Sequence, residues 1–127
     1  MTDSKPNSHT AVPYSKTIAA NNFLFLSGQV GIDEHSGKLV DAGIEAETTQ
    51  VMRNIDTVLK KEGLKLSDLV SVNIYLKSMD HYQAVNKVYI SFFTGKLPAR
   101  VCLAVADLPM KANVEISAIA KIEASYI

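Results

Sequence analysis

The sequence predicts an α+β domain: one mixed sheet of about six strands with two helices packed on one of its faces. Three observations carry this reading. Apolar residues between Ile44 and Glu62 recur at helical spacing, whereas those between Val70 and Lys77 alternate with polar ones. The elements run strand pair, helix, strand, helix, strand pair, and right-handed crossovers then lay both helices on the same side of the sheet.

Residues 1–12 are polar and without period and read as a flexible N-terminal arm, leaving 13–127 as a single domain. Lys16 to Ala20 and Phe23 to Ser27 form a strand pair across an Asn21-Asn22 turn, the second strand ending at Gly28. A further turn spans Asp33 to Lys38 around Gly37. In the first helix Val51, Met52, Ile55, Val58 and Leu59 make one apolar stripe. Asp41 is placed to help cap its start, Gly63 to cap its end, and acidic residues lead while lysines trail, as the helix dipole favours. In the next strand Val70, Val72, Ile74 and Leu76 share one face; Ser71, Asn73, Tyr75 and Lys77 share the other. Ser78 and Asp80 open a second helix whose inner face is Tyr82, Val85, Val88, Tyr89, Phe92 and Phe93, with the Met and Tyr positions of both helices read as core. Gly95 and Pro98 stop it. Arg100 to Ala106 and Val114 to Glu123 are the last two strands. If they form an antiparallel hairpin, Val101, Leu103 and Val105 meet the helices, and Arg100 and Cys102 share the opposite face with Glu115 and Ser117. That face holds too many small and aliphatic residues (Cys102, Ala104, Ile119) for plain solvent surface, and a second subunit is the simplest cover.

Composition narrows the function. The 127 residues carry 13 Lys+Arg and 13 Asp+Glu, a net charge of zero, which weighs against general nucleic-acid binding because affinity for phosphate backbones comes from excess cations. One cysteine, Cys102, allows no internal disulfide. Apolar runs fall far short of the ~18 residues of a membrane span, and the first twelve residues look like neither a signal nor a transit peptide, so the expectation is a cytoplasmic protein. His9, His35 and His81 have no metal-ligand spacing. Cys102 is better read as packing than as a nucleophile, since no histidine lies nearby in sequence to activate it.

Four segments together resemble the Rid (YjgF) family: Pro13-Tyr14-Ser15; Ser27-Gly28-Gln29-Val30-Gly31; Asp68 through Asn86 to Tyr89; and Pro98-Ala99-Arg100 with Leu108-Pro109 and Val114-Glu115-Ile116. The resemblance runs from about Tyr14 to Ile122. It implies a chorismate-mutase-like fold, a homotrimer with clefts between subunits, and hydrolysis of reactive 2-imino acids (2-iminobutanoate, 2-iminopropanoate) to 2-ketoacids and ammonia without metal or organic cofactor. Carried over by motif, Arg100 holds the substrate carboxylate and Glu115 stands near the attacking water; Tyr14, Gly28, Asn86 and the backbone of Cys102 line the site. The sequence departs from the family pattern at Val12, Lys16 and Ser117. Of these, the first two bear on the cleft mouth.

The residue types suit that chemistry. Arginine presents a fixed fork of donors matched to a carboxylate, which fixes an adjacent imine carbon within reach of one water. The protonated imine is already electrophilic, so a carboxylate that orients water suffices. Two other readings compete: an endoribonuclease or translation-inhibiting activity, and non-catalytic binding of small carboxylate metabolites.

Overall fold

The computed structural model describes residues 12–123. The expected arm therefore lies outside the described residues except for Val12, which is exposed. The chain forms strands β1 (Thr17–Ala20), β2 (Phe23–Val30), β3 (Ile32–Asp33) and β4 (Lys38–Leu39), helix α1 (Ile44–Lys61), strand β5 (Leu69–Leu76), helix α2 (Tyr82–Ser91), and strands β6 (Ala99–Ala104) and β7 (Val114–Lys121). Five strands make the main sheet in the order β1-β2-β7-β5-β6, and β3 and β4 form a separate two-stranded ribbon. The expected fold class holds, with five strands in the main sheet rather than about six, and β3 and β4 outside it.

Both helices cover one face. Val51, Met52, Ile55 and Leu59 of α1 and Val85 and Tyr89 of α2 enter a single core with Leu24, Leu26, Val72, Ile74, Leu76, Val114 and Ile116. α1 begins with Glu45 and Glu47 in its first turn and ends with Lys60 and Lys61, as the dipole requires. Its N-cap is Gly43, with φ 98° and no side-chain cap, so Asp41 does not serve. Gly63 takes φ 77° just past the helix end, a conformation that favours glycine. Ser78 accepts a hydrogen bond from the Asp80 N–H at 3.0 Å, but it opens a 3₁₀ turn from Met79 to His81 that precedes α2. Tyr82 is 37% exposed and is not core, whereas Tyr89 is buried.

Three strand expectations are corrected. β2 does not end at Gly28; it continues to Val30 through an irregularity in its pairing with β7 between Leu26 and Gln29. A similar shift between Leu69 and Ser71 in β5 turns Leu69 inward and leaves Val70 exposed. Most consequential, β6 and β7 do not pair. β5 lies between them, antiparallel to β7 and parallel to β6. In that register Arg100, Cys102 and Ala104 stand opposite Val72, Ile74 and Leu76, on the helix side. Val101 and Leu103 stand beside Asn73 and Tyr75, on the side without helices, where Glu115 and Ser117 also lie. The expected faces of β6 are therefore inverted.

The helix-free side is apolar over much of its area. Phe25 is 43% and Val101 52% exposed, and Ile18, Phe23 and Leu103 join them. No helix among the described residues is long and apolar enough to cross a membrane.

Candidate active site

The residues singled out from the sequence fall into two groups on opposite sides of the sheet. Glu115 is two strands from Arg100, and its register partner Tyr75 is three residues along β5 from Val72, the partner of Arg100. At ~4.8 Å per strand and ~3.3 Å per residue, their α-carbons are on the order of 14 Å apart, with side chains on opposite faces. One chain cannot bring these two side chains together.

The first group surrounds Arg100. Its guanidinium carbon lies 5.1 Å from the ring centre of Tyr89 and 5.8 Å from that of Tyr82, and Nη2 donates to the Tyr82 hydroxyl at 3.5 Å. Arg100 makes no ion pair among the described residues; the ion pairs present are Lys60–Asp56, Lys77–Asp107 and Lys87–Glu45. Asn86 lies between the two tyrosines on α2, and its Oδ1 is buried without a hydrogen-bond partner. Cys102 follows Arg100 on the same face of β6. Burial pushes its thiol above the ordinary value of 9.0, with the charge of Arg100 opposing the shift, so thiolate is scarce at neutral pH. This disfavours Cys102 as a nucleophile.

The second group surrounds Glu115. A Cβ built on Gly28 would run into the Glu115 carboxylate, 2.9 Å from its Cδ, so the absence of a side chain at Gly28 makes room for that carboxylate. Burial raises the Glu115 carboxyl above its ordinary value of 4.5. Gly28 also borders a cleft of about 250 Å³, lined by Tyr14, Lys16, Asn54, Thr57 and Lys61 among others. Tyr14 is held near it by its own strand end: Ser27 donates from N to the Lys16 carbonyl at 2.9 Å and from Oγ to the Ser15 carbonyl at 2.6 Å. Lys16, one of the departures from the family pattern, thus sits at the cleft wall, whereas Ser117 pairs with Asn73 on the helix-free face.

Three contributors were not singled out from the sequence. Tyr82 and Tyr89 read as core, yet both rings meet Arg100. The signal was available: an asparagine lies on the same stripe of α2, four residues after one tyrosine and three before the other. Glu47 is 2% exposed, and its carboxylate accepts from the Asn113 N–H at 2.7 Å and from Asn113 Nδ2 at 2.9 Å. It ties α1 to the residue that precedes β7, two positions before Glu115. No pattern in the sequence singled out this glutamate from its neighbour Glu45.

The Endoribonuclease L-PSP family model matches residues 4–122. The chain belongs to this family, the Rid family. A Rid relative, a RutC family protein of Pyrococcus horikoshii, is 43% identical over 85% of this chain and 86% of its own length. The 2-iminobutanoate/2-iminopropanoate deaminase of Mus musculus is 39% identical over 85% of this chain and 80% of its own. Among solved structures, a Yersinia pestis protein of the conserved Rid family superposes with a TM-score of 0.86 at 38% identity, covering 89% of this chain and 90% of that one. The match extends beyond both groups of site residues, so the Rid fold spans all of the geometry described above.

Proposed function

We propose that the protein hydrolyses 2-imino acids to 2-ketoacids and ammonia, in clefts that form between subunits of a homotrimer. The observation that carries the reading is the state of Arg100: a guanidinium packed on aromatic rings, with no carboxylate partner among the described residues. A structural arginine at a sheet edge ordinarily finds an anion; one left with its donor fork open suits a ligand carboxylate. The names of the mouse and Dermatophagoides farinae relatives, both 2-iminobutanoate/2-iminopropanoate deaminases, supply the substrate class.

In this reading Arg100 grips the substrate carboxylate, and Glu115 of a neighbouring subunit orients a water against the imine carbon. Water adds to the imine carbon, the carboxylate takes its proton and passes it to the nitrogen, and the C–N bond of the carbinolamine then breaks to release ammonia as the hydroxyl gives up its proton and becomes the ketoacid carbonyl. Tyr14, Gly28, Asn86 and the Cys102 backbone form the walls. The exposed apolar face carrying Phe25, Val101 and Leu103 is what the subunits bury. A heterologous, head-to-tail interface closes a ring, and it brings opposite sheet faces of two chains toward one cleft.

A coupled assay tests this. A pyridoxal-phosphate-dependent threonine dehydratase releases the imine, and the protein accelerates ketoacid formation. Arg100→Ala removes the acceleration, a loss of about 2–5 kcal/mol in transition-state stabilisation. Full activity in Arg100→Ala contradicts the reading.

A further inference from the structure

We propose that Tyr82 and Tyr89 are positioning residues that hold the Arg100 guanidinium ready to receive a carboxylate, a proposal that rests on the reading of Arg100 above. The two tyrosines are seven residues apart, two helical turns, and so present their rings from one face of α2. The guanidinium lies within ~6 Å of both ring centres, the range in which a cation is drawn to the negative face of an aromatic ring. The hydroxyl of Tyr82 is only at the limit of hydrogen bonding, 3.5 Å from Nη2, so the rings rather than the hydroxyls do the holding.

The choice of partner has a functional consequence. A carboxylate placed beside Arg100 would fix it equally well but would occupy the bidentate donors. Two ring faces stabilise the charge and leave those donors open. They also restrict the rotamers of a long side chain before the ligand arrives, which lowers the ordering cost of binding. Tyr89 is itself immobilised: it is 2% exposed and packs on Phe93 with ring centres 4.9 Å apart. Its hydroxyl is buried without a partner, as is Oδ1 of Asn86 one turn before, so this face of α2 carries two unsatisfied oxygens. A helix face built only for packing would not be expected to bury two such oxygens.

The test combines side-chain NMR of Arg100 with titration of a 2-ketoacid, 2-oxobutanoate, and with steady-state kinetics. In the wild type the Arg100 Nε–H signal is resolved and shifted upfield by ring currents. Tyr82→Leu and Tyr89→Leu each move it toward the position of an unstructured arginine, weaken ketoacid binding by about 3- to 30-fold and raise KM more than they lower kcat. Tyr89→Phe, which keeps the ring, keeps both the shift and the affinity. Tyr82→Leu alters a partly exposed side chain, so it reports even if Tyr89→Leu fails to fold. An Arg100 signal at the unstructured position in the wild type, or one unmoved by Tyr82→Leu with unchanged affinity, overturns the clamp while leaving Arg100 as carboxylate holder. A clear ring-current shift with ketoacid binding unaffected by Arg100→Ala means that the clamp serves no carboxylate, and overturns the proposal together with the reading of Arg100.

Discussion

The edge of the sheet at β6 and its middle at β2 and β7 treat their charged residue in opposite ways. At the edge, Arg100 is supported: two aromatic rings lie against its guanidinium, and the helix that carries them is anchored in the core. In the middle, Glu115 is merely accommodated. It is given room by the missing side chain of Gly28, makes no ion pair among the described residues, and is pushed toward its protonated form by burial. The cation is supported on one face and the anion disfavoured on the other, and the sheet keeps the two apart within a chain.

The sharpest way to break this contrast is at Gly28. Gly28→Val drives a side chain into the Glu115 carboxylate and should lower deaminase activity by the same 10²- to 10⁴-fold as Glu115→Gln, the range for losing a general base. Activity in Gly28→Val near that of the wild type would mean that the carboxylate position is unimportant. A smaller effect is expected at Glu47, which fixes the approach to β7 rather than touching substrate. Glu47→Ala removes two charge-assisted hydrogen bonds to Asn113, and chemical denaturation should show a loss of about 1.5–3 kcal/mol. The smallest effect concerns pH. Because the folded-state value of Glu115 lies above that of the unfolded chain, its ionisation opposes folding: the favourable protonated state is fully populated below the ordinary value of 4.5 and is lost as pH rises through the folded value. Thermal melts of wild type and Glu115→Gln between about pH 4 and about pH 7 should therefore show the variant gaining relative stability as pH rises. A difference that stays flat would remove the desolvated carboxylate from the account.

Much of the fold was legible in the sequence because it depends on local pattern. The stripe on α1 and the alternation of β5 each bury one face, and that face is written into neighbouring positions. Val70 leaves the face that alternation predicts because an irregularity in pairing shifts the phase, and nothing in the apolar character of Leu69 and Val70 tells which turns inward. The pairing of β6 departs from the expected hairpin for a deeper reason. Which strand inserts between two others is a non-local choice, and on an edge strand both faces carry apolar residues: Val101 and Leu103 on one side, Cys102 and Ala104 on the other. The motifs singled out Arg100, Glu115 and Gly28 individually. Alternation along one strand could not say that the first two face apart, because that follows only from the strand between them. The tyrosines escaped because large aromatic residues on a helix stripe serve core packing and guanidinium stacking alike.

The separation of Arg100 and Glu115 leads to one direct measurement. If a working site takes Arg100 from one subunit and Glu115 from the next, two inactive variants must rescue each other. Arg100→Ala and Glu115→Gln are each purified, mixed in equal amounts, dissociated and allowed to reassemble together. Random mixing gives about one site in four with both groups intact, so the mixture should recover up to about a quarter of wild-type activity. A mixture as inactive as its two components, once mixed oligomers have been demonstrated, would contradict a site shared between chains.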